Sequence, residues 1–239
     1  MTSTSTSITR CALFASLTAL GACGGGGGDA PAPAPAPAPV ACTSTPPPPP
    51  PAAVSAAPQV TFAITNGAGV AGTVVLTLDR TAAPTTVANF LQYVNSGFYN
   101  CTVFHRLVAG FVLQGGGFAT PMVVSSTALN TPKPTNPAIV LEDNVGLSNV
   151  RWTVAMARTN QPDTGTSQFF FNLADNSATL DRTATRRGYA VFGTVTAGTE
   201  VITSASTAPG CSSWGGTFNN DGSCLPTPNL TITAASQTR

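Results

Sequence analysis

The sequence predicts one mainly-β domain that carries two helices and follows a low-complexity N-terminal segment. Short runs in which every second residue is apolar, such as 60–64 and 74–78, are typical of strands that bury one face. The segment 87–94 instead has apolar residues at the helical spacing i, i+3, i+4 and i+7. Residues 1–58 contain long glycine and proline stretches, which cannot build a hydrophobic core.

Composition narrows the classes of function. Of the 239 residues only 8% are charged, and the net charge is +1. Because nucleic-acid-binding surfaces are strongly basic, these values argue against a nucleic-acid partner. The chain has one histidine, His105, which we expect to be a packed structural residue in a strand. No cysteine or histidine spacing is typical of a zinc site, so we expect neither a metal nor a cofactor.

The N-terminus has the features of an export signal over residues 1–22. Arg10 is followed by the apolar run 11–20, which is too short to span a bilayer as a helix. The run leads into LGAC, which resembles the lipobox of bacterial lipoproteins and implies that Cys23 is lipidated. An ordinary signal peptide with a chance cysteine is the alternative. Gly24 follows, a pattern that in enterobacterial-type lipoproteins implies an outer-membrane anchor facing the periplasm.

Residues 23–58 are expected to form a stalk between the lipid anchor and the domain at 59–239. Five glycines, an Ala-Pro repeat and six consecutive prolines follow one another there. Glycine-rich sequence is flexible and proline-rich sequence is extended, so the segment would hold the domain away from the membrane. The alternative is that the prolines are a docking ligand for an aromatic groove on a partner.

Four cysteines remain beyond the signal and the lipidation site. Cys211 and Cys224 flank a polar, glycine-rich loop, and we expect them to form a disulfide in an exported protein. Whether Cys42 pairs with Cys101 stays open.

The remaining elements follow from the same patterns. A turn at 66–69 joins the first two strands into a hairpin. A helix begins near Pro84, with Thr85 or Thr86 as its cap, and ends at Gly97. Further strand-like runs and a short second helix complete the pattern: 102–108, 153–157, 168–173, 189–195 and 230–234, with the helix at 199–206. Many short strands with two helices favour a closed barrel with capped ends, although the pattern also fits a sandwich.

The stretch FHRLVAGFVLQGGGF at 104–118 contains the residues that we expect to form the functional site. It combines phenylalanines and aliphatic residues with two polar anchors, Arg106 and Gln114, and a glycine triplet. Such a surface suits a neutral, extended, apolar ligand better than a charged one.

This stretch resembles the centre of the cyclophilins, the cyclosporin-binding peptidyl-prolyl cis-trans isomerases. Similar blocks follow the family's order: TVANFLQYVNSGF at 86–98, TVAMARTNQPDTGTSQFFFN at 153–172 and YAVFGTV at 189–195. The resemblance implies a closed eight-stranded antiparallel β-barrel capped by two helices, with a peptide groove on the outside.

The resemblance also implies an enzyme that accelerates rotation about X–Pro bonds in exported proteins and assists their folding in the cell envelope. Arg106 and Gln114 match the family's catalytic pair. The matching substrate-binding positions are Phe111, Val112 (often methionine in the family), Ala157, Arg158, Phe170, Leu180 and Tyr189. Alternatives are a peptide-binding module or chaperone with little catalysis, and a structural lipoprotein whose stalk is the functional part.

Two positions depart from the eukaryotic family pattern. Tyr189 replaces a histidine, and Thr179 replaces the tryptophan whose indole N–H helps hold cyclosporin. We therefore expect weak cyclosporin binding. The loop 182–188 adjoins these positions, and its role is left open.

Overall fold

The computed structural model describes residues 42, 55–123, 131–207, 210–213 and 222–239. The predicted signal peptide, Cys23 and most of the stalk lie outside these ranges. The elements are β1 Gln59–Thr65, β2 Ala71–Leu78, α1 Pro84–Asn95, β3 Thr102–Val108, β4 Val112–Ala119, β5 Thr153–Met156, β6 Phe169–Asn172, α2 Ser177–Leu180, β7 Val191–Ala197, α3 Thr199–Thr207, β8 Cys211–Ser213, β9 Cys224–Pro226 and β10 Thr231–Gln237.

Eight strands close into an antiparallel barrel in the order β10-β1-β2-β7-β5-β6-β4-β3, and β10 pairs with β3 to complete the ring. This closure confirms the predicted barrel and excludes a sandwich, because a sandwich leaves its two sheets unjoined. The hairpin β8–β9 lies outside the ring and attaches to β3 where Leu107 pairs with Cys224.

Aromatic side chains fill the barrel. Phe62 and Phe90 lie 5.6 and 5.4 Å from Phe169, measured between ring centroids, and all three side chains are fully buried. Burying one such side chain contributes about 1.5–3 kcal/mol. The interior is therefore a packed core, and a ligand has to bind elsewhere.

A carboxylate distant in sequence caps α1, so the expected Thr85 or Thr86 cap is wrong. Ala83 occupies the N-cap position and makes no side-chain cap. Glu142 instead accepts hydrogen bonds from the backbone N–H groups of Thr85 (3.1 Å) and Thr86 (2.8 Å). An anion is favourable at this end of a helix. The helix ends before Gly97, whose φ of 71° lies in the left-handed region, as predicted.

Four elements were not predicted: β4, β8, β9 and the single turn α2. The glycine triplet removes the alternation from β4, and β8–β9 lies in the segment expected to be a loop. Cys211 and Cys224 are disulfide-bonded with their Cα atoms 5.5 Å apart. None of the described helices is long and apolar enough to cross a bilayer.

Cys42 and Cys101 have free thiols that contact each other. Burial raises the pKa of Cys42 to about 12, and the hydrogen bond and charge interaction with Cys101 act in the same direction. At neutral pH the Cys42 thiol therefore keeps its proton.

Candidate functional site

Three strand pairings place the central side chains of the site next to one another. Arg106 on β3 pairs with Gln114 on β4, and Gln114 pairs with Phe170 on β6. Phe170 pairs in turn with Ala155 on β5. Directly opposite residues in antiparallel strands have Cβ atoms about 4.5–5.5 Å apart. A guanidinium, a carboxamide and a phenyl ring therefore lie side by side on the outside of the barrel.

A cleft with a volume of ≈ 340 Å³ opens at this position. It brings together all nine residues that the sequence assigned to catalysis and substrate binding, and it adds Asn160. The lining residues are Arg106, Phe111, Val112, Gln114, Ala157, Arg158, Asn160, Phe170, Leu180 and Tyr189. A larger cavity of ≈ 640 Å³ lies elsewhere, but no guanidinium, carboxamide or aromatic side chain lines it.

The floor of the cleft is apolar and mostly buried. Val112 and Phe170 are buried in a cluster separate from the barrel core, and Phe111 packs against it. The rings of Phe170 and Tyr189 meet edge to face with centroids 5.6 Å apart. Such a pocket suits a compact apolar group such as a small aliphatic ring.

Gln168 orients the Gln114 side chain and was missed at the sequence level. The Gln114 amide Nε2 donates to Gln168 Oε1 at 2.9 Å, which fixes the orientation of the carboxamide. Gly117 makes room for this pair, because a Cβ at that position would lie 2.7 Å from Gln168 Nε2. The glycine triplet beside Gln114 was the signal that a large side chain packs there.

Ala157 and Arg158 form the opposite wall. The Ala157 N–H donates to the Gln168 carbonyl at 2.9 Å, so a ligand would have to use another group of Ala157. The Arg158 guanidinium donates to the Gly188 carbonyl and lies 4.4 Å from the Tyr189 ring centroid. Its side chain is thus part of the wall, which sequence reasoning did not predict.

Two further positions lie outside the cleft lining. Thr179 is exposed on α2. His105 is 2% exposed and packs against Phe118, which confirms the expected packed histidine. Burial lowers the pKa of His105 to about 4, and the nearby Arg106 charge acts in the same direction. No group of three or more His, Cys, Asp or Glu side chains in the described ranges is arranged to hold a metal ion.

Comparison with known proteins agrees with the family resemblance of the sequence motifs. Residues 60–234 match the family model "cyclophilin type peptidyl-prolyl cis-trans isomerase/CLD". The peptidyl-prolyl cis-trans isomerase A of Dickeya dadantii is 51% identical over 131 residues, which is 55% of this chain and 64% of that protein. The isomerase B of Escherichia coli is 42% identical over 133 residues, covering 55% of this chain and 76% of its own length.

Solved structures share the fold. A Cryptosporidium parvum cyclophilin-type isomerase has a TM-score of 0.55 and 20% identity, covering 77% of this chain and 98% of its own. A second structure of that protein, obtained in the presence of the dipeptide Ala-Pro, has a TM-score of 0.55 and 21% identity, covering 76% of this chain and 99% of its own.

The buried histidine predicts a specific pH dependence. Its folded-state pKa of about 4 lies below the ordinary 6.5, so between these values the unfolded chain binds more protons than the folded one. The free energy of unfolding should therefore fall as pH drops from about 6.5 to 4, by up to about 1.4 kcal/mol per pH unit. Because His105 is the only histidine, its single imidazole NMR signal reports the pKa directly. A midpoint near 6.5 in the folded protein would contradict the buried environment.

Proposed function

Because the chain belongs to the family of cyclophilin-type peptidyl-prolyl cis-trans isomerases, we propose that its cleft binds a proline-containing segment and accelerates X–Pro rotation. The observation that carries this proposal is the row Arg106–Gln114–Phe170, which sets two polar groups beside an apolar pocket. Relatives at 42–51% identity are named for the same activity.

The reaction needs binding rather than covalent chemistry. The barrier to rotation is about 18–20 kcal/mol because the C–N bond has partial double-bond character. A protein lowers it by binding the twisted amide better than either planar form. Twisting localises a lone pair on the imide nitrogen, and the Arg106 guanidinium, which lines the cleft, would donate a hydrogen bond to it.

The other cleft residues hold the peptide while the bond turns. Phe111, Val112 and Phe170 would bind the proline ring through apolar contact. The Gln114 carboxamide, held by Gln168, would hydrogen-bond the peptide backbone and steady Arg106. The proline ring is then held in place while the X–Pro bond turns.

Arg106→Ala should lower kcat/KM by about 10²–10³, as does the loss of one preorganised transition-state donor. The kcat/KM of Arg106→Lys should lie between those of this variant and the wild type, because lysine keeps the charge but lacks the planar guanidinium with its paired N–H donors. Arg151→Ala is the control, since Arg151 stacks on Trp152 outside the cleft. NMR exchange on an Ala-Pro peptide measures all three rates.

A folded Arg106→Ala protein that keeps more than half the wild-type rate would refute this mechanism. Peptide binding by the wild type without any exchange would instead favour the alternative of a binding module or chaperone.

We also propose that the protein is exported, lipid-anchored at Cys23 on the periplasmic side of the outer membrane, and acts on exported clients in the cell envelope. Three features support this: the lipobox-like LGAC, the proline-rich segment after it, and the Cys211–Cys224 disulfide, a bond typical of oxidising compartments.

Membrane attachment should depend on Cys23. Lipidation contributes about 0.8 kcal/mol for each buried CH₂, and stable anchoring requires more than one acyl chain. Labelled fatty acid should enter the wild type and not Cys23→Ser, and the variant should leave the membrane fraction. Soluble fractionation of both proteins would refute the anchor.

Cyclosporin should bind weakly, because Thr179 supplies no indole donor and little contact area. Thr179→Trp should tighten binding in a titration without a matching gain in isomerase rate. Tight inhibition of the wild type would show that Thr179 is not the equivalent position.

A further inference from the structure

The loop 181–188 connects two residues of the cleft. Leu180 and Tyr189, which flank it, both line the cleft, and the Tyr189 N–H donates to the Leu180 carbonyl at 2.9 Å. The position of the loop therefore determines the positions of Leu180 and Tyr189 in the cleft wall.

Asp143 holds the loop from behind. Its side chain is only 1% exposed, whereas those of Arg182 and Arg187 are 41% and 42% exposed. Oδ2 accepts from Arg187 Nε and from the Gly188 backbone N–H, both at 2.8 Å. Oδ1 accepts from Arg187 Nη2 at 2.9 Å and from Arg182 Nη1 at 3.2 Å. One carboxylate thus binds three residues of the loop.

Arg158 binds the backbone of the same loop from the cleft side. Its Nη2 donates to the carbonyls of Gly188 and Arg187 at 2.8 and 3.0 Å, and its Nε donates to the Gly188 carbonyl at 3.0 Å. Gly188 is therefore bound through its N–H to Asp143 and through its carbonyl to Arg158. No other residue fits there, because a Cβ would lie 2.5 Å from the Arg182 backbone nitrogen.

We propose that Asp143 is a positioning residue: through Gly188 it sets the Arg158–Tyr189 wall and thereby the affinity of the cleft for its peptide. This inference rests on the proposed function, and it gives a role to residues 182–188 of the loop. Asp143 is absent from the cleft lining, so it acts only through the loop.

The charge of Asp143 is constant under working conditions. The hydrogen bonds from Arg187 lower its pKa to about 2, and those from the Gly188 N–H and Arg182 act in the same direction against burial. The carboxylate therefore stays ionised throughout the neutral and mildly acidic range. Replacing it with an amide leaves Arg187 without its partner charge and gives Gly188 a weaker acceptor.

The wall contacts the peptide before and during rotation, so its displacement should affect binding more than the rotation step. We expect Asp143→Asn in the full chain to raise KM for an Ala-Pro peptide by about tenfold, which corresponds to a loss of about 1.4 kcal/mol of binding free energy, with kcat within about twofold. Arg158→Met should have a similar effect. The double variant should be little worse than either single one, because both residues hold Gly188.

Asp175→Asn is the matched control. Asp175 is an exposed carboxylate outside the cleft lining, and it accepts hydrogen bonds from the Ser177 N–H and hydroxyl at the start of α2. We expect its KM to equal that of the wild type. If Asp143→Asn does not fold, Arg187→Met removes the exposed partner of the same carboxylate and should also raise KM.

Binding is measured separately from catalysis by titrating the peptide into labelled protein and following the Gly188 and Tyr189 amide signals. In Asp143→Asn these amide signals should shift in the absence of peptide, and peptide binding should weaken. Both results are expected even if the wild type catalyses no cis–trans exchange and the proposed function is therefore wrong. An unchanged KM, a fall in kcat alone or strictly additive effects with Arg158→Met would overturn the positioning role.

Discussion

The register of β6 between β4 and β5 is the constraint on which the rest of the structure depends. Its three consecutive phenylalanines alternate between faces, so Phe169 and Phe171 enter the barrel core while Phe170 lies in the outer cluster. The same register sets Phe170 opposite Gln114. A slip of one residue would move Phe170 inward and remove the cleft floor. Core packing and ligand binding are therefore determined by one strand pairing.

Three carboxylates outside the cleft lining, those of Glu142, Asp143 and Asp181, serve the fold. Glu142 caps α1, and Asp143 holds the loop 181–188. The Asp181 carboxylate accepts from the backbone and side-chain amides of Asn149, both at 2.8 Å, and from the Ser148 hydroxyl. These acids face the scaffold, while the cleft lining contains two guanidinium groups and no carboxylate. The cleft is accordingly weakly electropositive and otherwise neutral, which suits a polypeptide backbone.

The sequence predicted what depends on local pattern or on shared motifs. Alternation and helical spacing located the first hairpin and α1, and the family resemblance identified nine residues that line the cleft. The sequence did not predict the contacts between residues that lie far apart in the chain. The cap of α1 comes from Glu142, 57 residues beyond Thr85, and Asp143 acts on residues 182–188. No local pattern connects such positions, and only the closed barrel brings them together.

The chemistry of the cleft lining has a further consequence. Among its ten residues there is no thiol, no thioether and no imidazole. Sulfur side chains are common targets of oxidants, and imidazole is the side chain that ordinarily changes charge near neutral pH. A surface built this way resists oxidative damage and keeps its charge as the surroundings become mildly acidic.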